Sequence, residues 1–399
     1  MMSVLLSSSQ VNQNTLMATD LSKLQTVEIY CQADLDADIR KEIISNLSGA
    51  VLSHQGQYLW LGTDEFTSIE RFTKTNDQKP IFSEHQRFHF KDFIDDFDEE
   101  EGEVDIEGLS YCEGYLWMIG SHSSKRKKVK PQADKYTLGK KELKKIKREK
   151  NRYLFARIPI NEQGELAYQS PQKAWLSRQG SSNALTQALA KDEYLDLAQI
   201  IADEEDSPPL GNEVYLYLPS KENGLDIEGL AVDGNKVLVG LRGPVLRGIA
   251  LLLALEVEDS SSHELYLKTM GNEDRVYKRH FLDLDGLGIR ELCWQEQGSR
   301  LLILAGPTMD LDGALQLFCL HDPLALKDNS FSSQQNQQLE YLGTIPHGYK
   351  CDRAEGLCLY NDSKSILVVY DSPESKRLIL DAAGSVVGVH ADEFSISQL

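Results

Sequence analysis

Four glutamates recur in one sequence pattern and could do chemistry together: Glu107, Glu228, Glu291 and Glu355. They stand in DIEGL (105–109), DIEGL (226–230), GIREL (288–292) and RAEGL (353–357), each followed by a turn and a second apolar run. An earlier copy, LSGAV (47–51), has Ser48 in place of the glutamate. The second runs end near Asp64, Glu65, His122, Arg242, Asp310 and Asp371. Carboxylates gathered around one point repel one another unless a cation or an arginine neutralises them. Hard oxygen ligands suit Ca²⁺ or Mg²⁺ better than zinc, which makes Glu107, Glu228 and Glu355 candidate metal ligands. Arg242, Arg247, Arg290 and Arg353 lie beside the same motifs and offer the second route, with guanidinium groups that also suit an anion. Two of them, in LRGPVLRG (241–248), are spaced to fork onto one phosphate or carboxylate, or to neutralise the glutamates. The plainer alternative is that each glutamate caps backbone N–H groups of a neighbouring unit.

These residues need a scaffold that repeats. With Ser48, Glu107, Glu228, Glu291 and Glu355 taken as equivalent, the spacings are 59, 121, 63 and 64 residues. A fixed period of this size marks a propeller or stacked-unit fold. YLWLG and YLWMIG alternate like half-buried strands, and KVLVGL, RLLILAG and SILVVYD are apolar runs of buried-strand length. Gln55-Gly56, Glu113-Gly114 and Asp233-Gly234 make the hairpin turns between paired strands. With a third strand after several motifs and a lead-in strand before each, the expected fold is an all-β propeller of five blades, six being the alternative. The strand at 27–32 has no unit before it, and it is expected to complete the last blade and close the ring. In this reading residues 1–25 form a flexible tail and 26–399 a single propeller domain. The first strand of each blade then begins at one mouth of the channel and the second returns to it, so the motif residues converge there.

The long interval holds two insertions. Residues 123–152 carry 14 Lys/Arg and 3 Asp/Glu, and GKKELKKIKREK from Gly139 reads as a helix. Residues 180–212, with LTQALAKDEYLDLAQII, read as a second helical segment. The basic insertion follows ten acidic residues among the sixteen from Asp92 to Glu107, so the two segments are expected to attract each other over the channel mouth.

Composition narrows the function classes. A formal charge of −20 over 399 residues argues against a generic duplex-DNA binder. Nucleic acid enters only as a partner for segment 123–152; a small anionic ligand or a protein is the expected partner, and the chain is expected to be monomeric. No apolar window is long enough to span a bilayer, the N-terminal residues do not read as a signal peptide, and the six cysteines form no C-x-x-C, so a cytoplasmic protein is expected. There is no G-x-S-x-G, H-E-x-x-H, P-loop or dinucleotide fingerprint.

DIEGL at 105–109, GSHSSKRKK at 120–128 and GLDIEGLAV…LRGPVLRG at 224–248 resemble an uncharacterised bacterial family of unknown function. More distantly, the Asp-x-Glu-Gly-Leu element is similar to that of phytase-like esterase propellers, whose channel carboxylates hold calcium ions that receive phosphate. That resemblance implies a divalent-metal-dependent ester or phosphoester hydrolase with Glu107, Glu228 and Glu355 as the matching residues. Glu291 departs from the pattern, since GIREL lacks the glycine. The alternative is a non-enzymatic propeller that binds a ligand or protein.

Overall fold

The computed structural model describes residues 20–76, 80–127, 142–195, 218–260, 263–270, 275–309 and 311–396. The chain opens with β1 (Lys23–Tyr30) and helix α1 (Ala37–Ser45), whose N-terminus is capped by the Asp36 carboxylate accepting from Asp38 N–H at 2.8 Å. Five antiparallel groups follow. The first is β2 (Leu47–Ser53), β3 (Tyr58–Thr63), β4 (Ser68–Asn76) and β5 (Ile81–His89). The second contains β6 (Ile106–Cys112) and β7 (Tyr115–Gly120), then, after the short hairpin β8 (Lys125–Arg126) and β9 (Ile146–Lys147), β10 (Phe155–Pro159) and β11 (Ala174–Leu176).

The third group is β12 (Asp226–Asp233), β13 (Lys236–Gly243) and β14 (Ala250–Asp259). The outer edge of β14 is shared between β15 (Glu264–Leu267) and β16 (Lys278–Leu282). In the fourth, β17 (Gly288–Glu296), β18 (Arg300–Gly306) and β19 (Leu315–His321) pass β20 (Ser330–Ser332) before β21 (Leu339–Ile345) completes the sheet. The fifth contains β22 (Arg353–Tyr360), β23 (Ser365–Asp371) and β25 (Val386–Ser395), with β24 (Leu378–Leu380) on the side. Its outer strand is β1, paired antiparallel with β25 from Lys23↔Phe394 to Tyr30↔Gly388.

The motif strands lie innermost. β2 packs on β6, β6 on β12, β12 on β17, β17 on β22 and β22 on β2. The apolar clusters follow the same circuit. One unites Trp60 and Ile69 with Leu109 and Met118, the next Trp117 and Ile119 with Leu230 and Val239, and a third Leu238 and Leu252 with Leu292 and Ile303. A fourth joins Leu304 and Leu317 to Leu357 and Val368, and a fifth joins Leu367 and Val369 to Ala50 and Leu61. Each sheet is thus buried on both faces. This is why β13, β18 and β23 read as continuous apolar runs rather than alternating ones. The architecture is all-β, with the radial packing of a propeller.

A small residue is required where the inner strands meet. A Cβ on Gly108 would sit 2.7 Å from the Leu230 Cβ, and one on Gly229 would sit 2.6 Å from the Leu292 Cγ. The glycine of DIEGL therefore lets the next inner strand approach.

Three expectations are corrected here. Residues 20–25 are not a loose tail: Leu21 is buried, its N–H bonds the Thr344 carbonyl at 2.9 Å, and β1 starts at Lys23. Of the helix expected from Gly139, the described residues show helix only at 142–143. Further on, Ile146–Lys147 pairs with Lys125–Arg126 in β8–β9, so the ladder and its ion pairs override helix propensity. In the second insertion the described helix is α2 (Ala184–Leu189), and residues 128–141 and 196–217 lie outside the described residues.

Candidate functional site

At the end of the channel where the first strands begin, a cavity of about 760 Å³ gathers residues from all five groups. Its lining includes Asp64, Glu65, Glu107, Glu228, Glu355, Arg242, Arg290, Arg353 and Asp371. The strand-end convergence inferred from the hairpins brings these residues together.

The backbone explains how the glutamates face inward. In β6 the pair Ile106↔Gly120 is followed by Gly108↔Ile119, so Glu107 is the extra residue of a bulge. Glu228 occupies the same place between Ile227↔Leu241 and Gly229↔Gly240, as does Glu355 between Ala354↔Tyr370 and Gly356↔Val369. In β17 the bulged residue is Arg290, between Ile289↔Ala305 and Glu291↔Leu304. The ring therefore runs Ser48, Glu107, Glu228, Arg290, Glu355, and Glu291 is displaced from it. Glu291 takes the position of the motif glycine and lies fully buried below the cavity, where its carboxylate accepts the Leu292 N–H at 2.9 Å. Ser48 donates to the Ile106 carbonyl of the neighbouring strand, so in these two places the structural alternative applies.

Arginines neutralise much of the ring. Arg242 pairs with Glu228 and lies 3.4 Å from Asp226; Arg290 pairs with Glu355 and lies 3.6 Å from Glu228. Arg152, from the basic insertion, pairs with Asp105 and with Glu103 at 2.7 Å. Glu107 and Asp64 have no side-chain partner among the described residues, and Asp64 Oδ1 is sealed from solvent without a donor. Burial first, then the charges of Asp105, Glu355 and Asp371, pushes the Asp64 carboxyl up to about 9. Burial and the charges of Asp105, Glu228 and Asp226 hold Glu107 well above the usual carboxylate range. Asp226 and Glu355 rise to about 7, burial outweighing Arg242 for the first and Arg290 for the second. Asp371 is raised by burial against the Ser372 hydrogen bond and the charges of Arg353, Arg290 and Lys221.

The rim is basic. Lys125, Arg126, Lys127 and Lys147 of the β8–β9 hairpin line the cavity, tied by Lys125–Glu149 at 2.9 Å and Lys127–Glu142 at 2.8 Å. Lys125 also pairs with Glu103, and Arg178 holds Asp96 at 2.5 Å, so the acidic stretch before β6 is taken up by neighbouring cations. Lys221 is exposed on the rim, where it makes no hydrogen bond or ion pair with the described residues and its charge acts on Asp371.

Some candidates lie elsewhere. His122 is fully buried beside a second cavity of about 410 Å³, its Nε2 2.7 Å from Asn183 Nδ2 and its Nδ1 2.7 Å from the Gly120 carbonyl. Burial lowers it to about 4, so it is a neutral structural histidine. Arg247 is exposed on the turn after β13 and does not line the channel cavity, so Arg242 and Arg247 do not fork onto one anion. Asp310 lies outside the described residues. Sequence reasoning missed Asp105 and Asp226, which the spacing Asp-x-Glu places beside the glutamates, and Arg152, whose position nothing in its local sequence signals.

The donor set does not fit the divalent ion implied by the phytase-like resemblance. Glu228 and Glu355 already hold guanidinium groups, and among the described residues no three His, Cys, Asp or Glu side chains are arranged to hold a metal.

No curated protein matches the chain. Among solved structures it is similar to Myxococcus xanthus glutaminyl cyclase (9% identity, 95% of this chain and 98% of that one, TM-score 0.39). Pseudomonas aeruginosa periplasmic gluconolactonase gives 12% identity, 88% and 85% coverage and a TM-score of 0.33. Kuenenia stuttgartiensis hydrazine synthase gives 8% identity and 0.31, with 88% of this chain spanning 64% of that one. Likeness at this level brings neither substrate nor mechanism to the chain. Sequence decides the family: the model described as "Protein of unknown function (DUF3616)" matches residues 46–388, and the chain belongs to that family.

Proposed function

We propose that the channel-mouth cavity binds a small anionic ligand and hydrolyses its ester or phosphoester bond. The observation that carries this reading is the presence, in one cavity, of cations and of the buried carboxyls Glu107 and Asp64, which have no side-chain partner among the described residues and whose hold on a proton burial strengthens. Arg353 and Lys221 would hold the anionic group. Glu107, or Asp64 across the gap left by Ser48, would donate its proton to the leaving oxygen as the bond to it breaks, and recover one from the attacking water. A proton held at neutral pH by a buried carboxyl is available for this step, whereas an ordinary surface carboxylate has already lost it.

The same reading takes the five groups as five blades of one domain, closed by β1, acting as a cytoplasmic monomer. The circuit of inner-strand contacts and the β1–β25 ladder support the closure. A second reading, a propeller that binds without turnover, is favoured by one observation: Arg152, Arg242 and Arg290 each already grip a carboxylate, as a purely structural lattice would.

Thermal unfolding with inorganic phosphate, combined with assays of p-nitrophenyl phosphate and p-nitrophenyl acetate, tests both. The hydrolase reading expects phosphate to raise Tm by mass action, and turnover that falls about 100-fold or more in Glu107→Gln. A phosphate-induced rise without turnover selects the binding reading, and neither effect discards the site. Repeating the melt with Ca²⁺ or Mg²⁺ checks the metal expectation: a rise that Glu107→Gln abolishes would reinstate it.

A further inference from the structure

The loop after β18 places two apolar side chains at an otherwise charged mouth. Met309 and Leu311 both line the channel cavity and are 42% and 57% exposed. Single exposed apolar residues are ordinary on a protein surface. What distinguishes these is how their backbone is held. Arg242 Nε donates to the Thr308 carbonyl at 3.0 Å, and Arg290 Nη2 to the Pro307 carbonyl at 3.4 Å. The guanidinium groups that neutralise Glu228 and Glu355 thus also fix the loop carrying the apolar lip. The far side of the loop is anchored as well, the Asp312 carboxylate accepting the Lys350 N–H at 3.2 Å. The lip is therefore held in place over the ionic floor before any ligand arrives, and a preorganised contact costs little ordering on binding.

We propose that the ligand is an amphipathic anion. Its charged group meets Lys221 and Arg353, and an adjoining apolar group of several carbons covers Met309 and Leu311. This rests on the anion-binding reading of the same cavity and adds the class of ligand. Inorganic anions and polyhydroxylated phosphates would leave the lip in water. An alkyl or aryl ester would remove it from water, more of it with each carbon added to the ligand.

Calorimetric titration of the full chain with inorganic phosphate and with methyl, ethyl, propyl and butyl phosphate tests the inference. Each added methylene should tighten Kd by up to about fourfold, and the double variant Met309→Ser/Leu311→Ser should flatten that series. Leu311→Met, which keeps an apolar side chain, should preserve the slope. Phosphate binding with no dependence on chain length would overturn the inference and leave the anion site standing. A slope that survives in the double serine variant would also overturn it, because the apolar contact would then lie elsewhere. If neither phosphate nor any alkyl phosphate binds, the site reading falls and the inference falls with it.

Discussion

Asp64 is the residue whose environment makes the sharpest demand. It follows the end of β3 on the side of the ring where Ser48 replaces a glutamate, and nothing among the described residues donates to its side chain. Its folded-state value of about 9 lies far above the ordinary 3.8. Between those values the folded protein keeps a proton that the unfolded chain has released, so this contribution to stability is complete below about pH 3.8 and disappears as pH rises through 9. Asparagine has the shape of the neutral carboxyl and cannot ionise. The Tm of the parent protein should therefore fall more steeply from pH 6 to 9 than that of Asp64→Asn, leaving the variant ahead by about 4 °C or more at pH 9. Melts across this range check it, and parallel profiles would show that Asp64 titrates as a solvated group. Asp226 and Glu355, raised to about 7, lose their contributions at lower pH in both proteins alike.

At the scale of elements, the hairpin motif was legible because strand, turn and strand leave a local signature, whereas the alignment of the fourth motif was not. Matching glutamate to glutamate put Glu291 in the ring. The apolar pairs Ile106/Leu109, Ile227/Leu230 and Ile289/Leu292 fix the pleat, and aligned on them Arg290 takes the glutamate position. The letters mislead there because a fixed positive charge among carboxylates serves the site better than a fourth negative one. His122 was misplaced for another reason: after Gly120 the chain turns at φ 53° and the ring is covered by Asn183, 61 residues away, which no local pattern reveals. The β1 strand carries a prediction of its own. It pairs with β25 along its length and meets β5 in parallel at Glu28↔Ile81 and Ile29↔Phe82. Deleting residues 1–31 removes buried Val27 and Ile29 and exposes the edge of β25. The truncated chain should lose its single cooperative urea transition, and an unchanged midpoint would show that β1 is dispensable.

Across the whole molecule, two cavities lie along the inner strands, and Glu291 stands in sequence between a residue that lines one and a residue that lines the other. Arg290 lines the upper, ionic cavity; Leu292 lines a lower one of about 190 Å³, walled by Ala50–Leu52, Leu109–Tyr111, Ala231, Leu292–Trp294 and Leu357–Leu359. Between them Glu291 is fully buried, its Oε1 accepting the Leu292 N–H and its Oε2 left without a hydrogen-bond partner among the described residues. Desolvation holds it well above the carboxylate range, against the pull of the nearby backbone N–H groups of Leu292, Leu230 and Ala50. Those three amides belong to β17, β12 and β2, so one side chain sits where inner strands from different sides of the axis come together. Four inner strands meet their neighbours through a glycine, and in the fourth group a carboxyl fills that position instead. Replacing it with alanine would leave a void in the packed inner strands and take the acceptor from the Leu292 N–H. Glu291→Ala should cost about 2–5 kcal/mol, the range for a buried cavity combined with an unsatisfied donor. Glu291→Gln keeps the volume and one acceptor oxygen and should cost less than about 2 kcal/mol. Urea unfolding of the two variants separates these outcomes. Equal, small losses would mean that the inner strands close around the missing side chain and that Glu291 is not needed to fill the space between them.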